Sequence, residues 1–282
     1  MPLQDILLHI DSYPEPTPPE AIDQAVAFCK SIGGKLSGLA VRIDIRVPQN
    51  WLAEALVGIS KLAEAEEARS LDACRASLAI FEQKARAAGI LGQVLVGKAD
   101  LHLAGPHVAQ QARTRDFCLV ALMDRLDDQR TVAEDVIFES GRPALVFRPG
   151  TADLPVGGPK VVAVAWDGSR CAARAVADAM PILAKAQEVH VFTAVHEKPV
   201  AISGLAKDLL RHLKIYDIDA SAQEIDARHK RIGSVLDACL ESSGADLLVM
   251  GAYGHSKVRE FILGGATEHV LNTLKVPVFL SH

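Results

Sequence analysis

Short apolar runs recur in the same order in both halves of the 282-residue chain, and this duplication limits the fold more than any other feature. Ile6-Leu7-Leu8-His9-Ile10 leads into Asp11-Ser12, and Val161-Val162-Ala163-Val164-Ala165-Trp166 leads into Asp167-Gly168-Ser169. Each run is short, aliphatic and bounded by turn residues, as in a strand buried on both faces of a parallel sheet. A helical pattern follows each run. Ala25, Val26 and Phe28 share one apolar face in the first half, and Ala172, Ala175, Val176 and Ala179 share one in the second.

The remaining runs complete two copies of one unit. Second strands are expected at residues 35–41 and 189–195, and third strands at 93–96 and 220–225. The last two strands of each half are expected at 117–122 with 144–147, and at 247–250 with 278–280. Amphipathic segments at 51–88 and 205–213 lie between the second and third strands. Strands alternating with helices give right-handed crossovers and helices on both faces of a parallel sheet. The fold class is therefore α/β, with two doubly wound, mostly parallel five-stranded domains. Between the halves, Pro149, Gly150, Pro155, Gly157, Gly158 and Pro159 interrupt both helix and central strand. Domains at 1–150 and 158–282 follow.

Composition removes several function classes. Hydrophobic residues make up 49% and charged residues 23%, the balance of a globular chain. A net charge of -5 without a dense Lys/Arg run argues against nucleic acid as a partner. The five cysteines are scattered and never spaced C-x-x-C, which disfavours a disulfide framework or a zinc ribbon and fits a reducing cytoplasm. The start of the chain lacks a basic, apolar leader, and no apolar run nears the ~20 residues that span a bilayer. No membrane association is expected.

The most informative stretch is Gly251-Ala252-Tyr253-Gly254, nine further residues, then Gly264-Gly265-Ala266-Thr267 opening a helical pattern through Val270, Leu271 and Leu274. It leaves a strand end, and ligands of open parallel sheets bind beyond carboxyl strand ends where the winding reverses. If the first and fourth strands are neighbours, Asp167 and Gly251 border one crevice. Glycines there allow close backbone approach. A helix starting near Gly264 offers N–H groups and a dipole to an anion, with Thr267 as a cap or a phosphate hydroxyl. No Walker A sequence and no G-x-G-x-x-G after a strand is present.

At these residues the chain resembles the universal stress protein family, whose nucleotide-binding members carry G-x2-G-x9-G followed by Ser or Thr. The likeness extends over both copies, including Asp167-Gly168-Ser169 and the closing Val276-Pro277-Val278-Phe279-Leu280. It implies an adenine nucleotide (ATP, ADP or AMP) in the C-terminal half, with Mg accompanying the phosphates. The residues implicated are Ala165, Asp167, Val195, Met250, Gly251, Gly254, Gly264, Gly265, Ala266 and Thr267. Two departures stand out. Gly265 replaces the hydroxyl residue after the third glycine, and Trp166 places an indole beside the aspartate, either in the core or at the base pocket. Family members pair through their last strands, which implies an internal pseudo-dimer through residues 145–147 and 278–280; a homodimer and a protein partner of unknown identity are left open.

The first half keeps Asp11 but loses the cradle. Met123-Asp124-Arg125-Leu126-Asp127-Asp128-Gln129-Arg130 follows its fourth strand, with carboxylates where phosphates would lie. A structural or docking role is expected there. Catalysis has little support. Ser169 reads as a helix cap rather than a nucleophile, since no G-x-S-x-G occurs. His255 and His269 read as surface histidines, and Cys171 and Cys239 as buried small hydrophobes. The expectation is binding, with slow ATP hydrolysis at most; the alternative is a nucleotide-free interaction protein of the same fold.

Overall fold

The computed structural model describes residues 3–46, 59–123, 127–195, 204–228, 230–252 and 265–282. The N-terminal half comprises β1 (Asp5–Ile10), α1 (Pro19–Ile32), β2 (Lys35–Asp44), α2 (Ile59–Ala87), β3 (Leu91–Asp100), α3 (Ala104–Ala112), β4 (Phe117–Ala121), α4 (Asp127–Glu139) and β5 (Ala144–Phe147). The C-terminal half repeats the order as β6 (Val161–Ala165), α5 (Arg170–Leu183), β7 (Glu188–Val195), α6 (Leu205–Ile215), β8 (Ala220–Asp226), α7 (Ile232–Ser243), β9 (Leu247–Gly251), α8 (Ala266–Thr273) and β10 (Val278–Ser281).

The strands form one ten-stranded sheet in the order β3-β2-β1-β4-β5-β10-β9-β6-β7-β8. Within each half the strands are parallel. The halves meet through β5 and β10, which are antiparallel, with Phe279 opposite Leu145. The internal pairing expected at the last strands is thus present. In each half the chain winds outward over two strands and then returns to the other side of the first, so the winding reverses between β1 and β4 and between β6 and β9.

Two apolar layers cover the sheet, and each draws on both halves. One contains Phe28 of α1, Phe81 of α2, Val176 of α5 and Leu213 of α6. The other contains Val108 of α3, Val136 of α4, Val235 of α7 and Leu271 of α8. The longest helix, α2, buries Cys74, Leu78, Phe81 and Ala85, the three-and-four spacing of one helical face. Gly38 makes room for it. A Cβ at Gly38 would lie 2.6 Å from the Phe81 ring. The expected segment began at Trp51, and residues 51–58 lie outside the described residues.

Strand ends differ from expectation chiefly at the N-terminal edge. β3 runs to Asp100 rather than covering 93–96, and β2 runs to Asp44 rather than Val41. Polar residues extend both strands because they pair across the sheet: Lys98 meets Asp44 at 2.7 Å, and Arg46 meets Asp100 at 3.2 Å. β3 is an edge strand, so its outward side chains remain solvated. Among the described residues no helix is long and apolar enough to cross a membrane.

Candidate functional site

The crevice between β6 and β9 is built by register. Ala165, the last residue of β6, pairs with Met250 of β9, and the chain then turns at Trp166 and Asp167. The two strand exits are therefore adjacent, as the switch-point reading requires. Asp167 is exposed at this exit, and its Oδ1 accepts a hydrogen bond of 2.9 Å from the Ser169 amide. Gly168 turns there with φ +70. Ser169 caps α5, its hydroxyl accepting from the Ala172 amide at 3.1 Å, as the sequence indicated.

Alternation along β6 decides where the indole goes. Ala163 and Ala165 face the layer of α7 and α8, whereas Val164 and Trp166 face the layer of α5 and α6. The Trp166 Nε1–H donates to the Leu205 carbonyl at 3.0 Å, tying the turn to the start of α6. Of the two readings of Trp166, the core one holds. The indole lies on the sheet face opposite α8.

Gly251 ends β9, and a Cβ there would stand 2.5 Å from both the Ala172 nitrogen and the Cys171 carbonyl carbon. Its bareness thus lets the first turn of α5 sit on β9. Gly265 is the N-cap of α8, with φ -74 and ψ 165, and as a glycine it makes no side-chain cap hydrogen bond. Ala266 and Thr267 are the first two helical residues. Thr267 was expected as a possible cap; it stands two residues past the N-cap position, and only 5% of it is exposed. An α-helix leaves its first N–H groups without acceptors inside the helix, and the dipole adds partial positive charge at the same end. Glu268, in the same turn, places a carboxylate there too. Val195 ends β7 opposite Asp226 of β8. Gly254, His255 and Gly264 lie outside the described residues.

His269 is not simply a surface histidine. Its ring occupies the space over Gly233 of α7, where a Cβ would come within 2.2 Å, and its Nε2 lies 3.0 Å from the Asp237 carboxylate. It fastens α8 to α7. Lys275 joins the same group, 2.6 Å from Glu241, which holds its ammonium pKa above the ordinary value. All five cysteines are free and buried. Burial raises the Cys118 thiol to about 12 and the Cys239 thiol to about 11. Among the described residues no cluster of three or more His, Cys, Asp or Glu side chains is arranged to hold a metal ion.

The matching crevice of the N-terminal half is spanned by Gln129, a residue that no sequence pattern singled out. From the first turn of α4 its Oε1 accepts from the Met123 amide and its Nε2 donates to Asp11 at 3.0 Å. Gln129 is 3% exposed, so a buried amide bridges the exits of β1 and β4. Asp124 and the Asp127 and Asp128 side chains, expected to repel phosphate, lie outside the described residues.

Comparison with known proteins agrees with this architecture. Residues 159–282 match the model of the universal stress protein family. A universal stress protein from Archaeoglobus fulgidus superposes with a TM-score of 0.68 at 18% identity, over 98% of this chain and 95% of its own. A Pseudomonas aeruginosa protein assigned as a universal stress protein gives 0.55 at 18% identity, over 99% and 93%. No curated protein matches the chain. Residues 159–282 thus form a domain of the universal stress protein family, within a chain whose whole length carries the fold of universal stress proteins.

Proposed function

We propose that the chain binds an adenine nucleotide in its C-terminal half, in the crevice between β6 and β9, and acts as a cytoplasmic stress-response module that signals or protects by occupancy. In this reading residues 1–150 and 158–282 are separate domains, and only the second binds ATP, ADP or AMP. One observation carries it: the exits of β6 and β9 are adjacent, Asp167 is exposed there, the helix after β9 starts at a glycine that supplies no side-chain cap, and the indole is on the other face of the sheet. Asp167 and Ala165 would hold the base and ribose with Val195 and Met250. Gly251, Gly254, Gly264, Gly265, Ala266 and Thr267 would line the phosphates through backbone N–H groups.

A magnesium ion would be held mainly by those phosphates, as is usual for this hard, strongly hydrated cation. Binding, not turnover, is the proposed activity. Calorimetric titration of the full chain with ATP tests it. The expected result is saturable heat at one nucleotide per chain, weakened about tenfold or more in Asp167→Ala, the loss of one hydrogen bond to a charged group. Absence of saturable binding at millimolar ATP would reject the proposal.

A second reading, a nucleotide-free interaction module, draws on Gly265, which supplies no hydroxyl, and on Glu268, whose carboxylate opposes phosphate at the helix start. Intact-mass analysis of the protein as purified separates the two. A stoichiometric nucleotide released on denaturation removes the second reading.

A further inference from the structure

The two ends of the sheet are covered differently on the face of α3, α4, α7 and α8. In the first half α3 rests on the edge strand β3, and the His107 ring fills the space over Gly97, where a Cβ would stand 2.5 Å from it. In the second half α7 rests on β6 and β7, and a cavity of about 510 Å³ opens between it and the edge strand β8. That volume lies within the range of small-molecule sites, about 300–1,000 Å³.

The floor of this cavity is apolar. Ile225 of β8 and Val235, Ala238 and Cys239 of α7 line it. Burial raises the Cys239 thiol to about 11, so at neutral pH this wall keeps its proton and carries no charge. No aromatic ring is among the described residues lining the cavity, so nothing there stacks on a flat heterocycle. The lining positions run from Arg231 to Ser242 along one side of α7, a trough ~16 Å long at the rise of an α-helix. An extended aliphatic chain fits that shape.

One end of the trough is cationic. Lys230 and Arg231 line it where the chain enters α7, and no carboxylate is among the described lining residues. Asp226, at the end of β8, is held by Arg228, and neither Lys230 nor Arg231 has an ion-pair partner among the described residues. Two cations at one end of an apolar trough complement a ligand with one anionic head and an aliphatic tail.

We infer that the groove between β8 and α7 is a binding site for a free aliphatic monocarboxylate, with the tail along Ile225, Val235, Ala238 and Cys239 and the carboxylate at Lys230 and Arg231. None of the described residues assigned to the nucleotide lines this groove, so the inference stands independently of the proposed function.

Amide-resolved NMR of the full chain tests it, with octanoate as the probe and octanol and octylammonium as controls of equal tail length. Octanoate is expected to shift the Ile225, Ala238 and Cys239 amides saturably, and millimolar ATP to leave that response in place. Octanol, and octanoate on the chain carrying Lys230→Glu with Arg231→Glu, are expected to bind about fivefold more weakly or worse, the scale of exposed ion pairs. Octylammonium is expected to give no saturable shift. Ala238→Trp, at an exposed helical position on the groove wall, is expected to abolish the octanoate response, with Ser234→Trp as the plug should the first variant fold poorly. Sedimentation with vesicles of phosphatidylcholine and phosphatidylglycerol is expected to leave the chain in solution. No saturable shift at millimolar octanoate, an equal response to octylammonium, displacement by ATP, or a response that survives a folded plug variant would each overturn the inference. Vesicle binding that is lost on charge reversal would also overturn it, by assigning the two cations to a lipid surface.

Discussion

Single residues in this protein divide between those shaped by packing and those left open to solvent at the crevice. Gly251 belongs to packing. A methyl group there would meet backbone atoms of Cys171 and Ala172 at 2.5 Å, and backbone cannot swing aside as a side chain can. Overpacking costs about 1–3 kcal/mol, whereas the reduced freedom of an unfolded Ala chain returns only about 0.4–1 kcal/mol. Gly251→Ala is therefore expected to lower stability by about 1–2 kcal/mol, read as a fall in the urea midpoint with an unchanged slope; an equal or higher midpoint would contradict this contact. Cys118 gives a prediction in pH. Burial raises its thiol from 9.0 to about 12, so the folded state keeps a proton that the unfolded state loses. Its contribution is full below pH 9 and declines as pH rises toward 12. Cys118→Ala is expected to lose less stability between pH 9 and pH 11 than the parent chain, measured by urea unfolding at each pH. Parallel loss in both proteins would show that this thiol is not responsible.

At the scale of elements, the antiparallel contact of β5 with β10 joins the two repeats. Phe279 of β10 is fully buried and meets the edge of Phe117 of β4, ring centroids 5.8 Å apart, so an aromatic pair crosses between the halves. Phe279→Ala is expected to cost about 3–5 kcal/mol, with calorimetry then showing one or both halves melting earlier; a loss below 1 kcal/mol would mean that the junction contributes little. Most of these elements were legible in the sequence because buried parallel strands are written as unbroken aliphatic runs. β5 was readable to its ends. β3 was not, because its outer residues are polar and become strand through the backbone ladder with β2, to which the Lys98–Asp44 and Arg46–Asp100 pairs add, and none of these is visible until the strands are side by side. Ser169 was readable as a cap since its partner is three residues away, whereas Gln129 reaches Asp11 over 118 residues and no local pattern announces it.

For the whole molecule, duplication has produced two crevices of unlike chemistry on one continuous sheet. Each apolar layer contains residues of both halves, so the chain holds the crevices in fixed relation through its core as well as through the strand junction. Arg130 of α4 also donates to Asn272 of α8 at 2.6 Å, linking the helices that follow the two crevices. In the N-terminal crevice a buried amide bridges the strand exits, whereas in the C-terminal half Asp167 is exposed at the exit of β6 and α8 starts at Gly265, which has no side chain to cap it. In the proposed function, phosphate recognition falls to the peptide N–H groups at the beginning of α8. Amide-resolved NMR of the full chain during ATP titration reads those groups directly. Saturable shifts at Ala266 and Thr267, with the same midpoint as the heat of binding and loss in Asp167→Ala, are the predicted result. Unmoved amides at these positions while ATP saturates the chain, or no response at millimolar nucleotide, would contradict it.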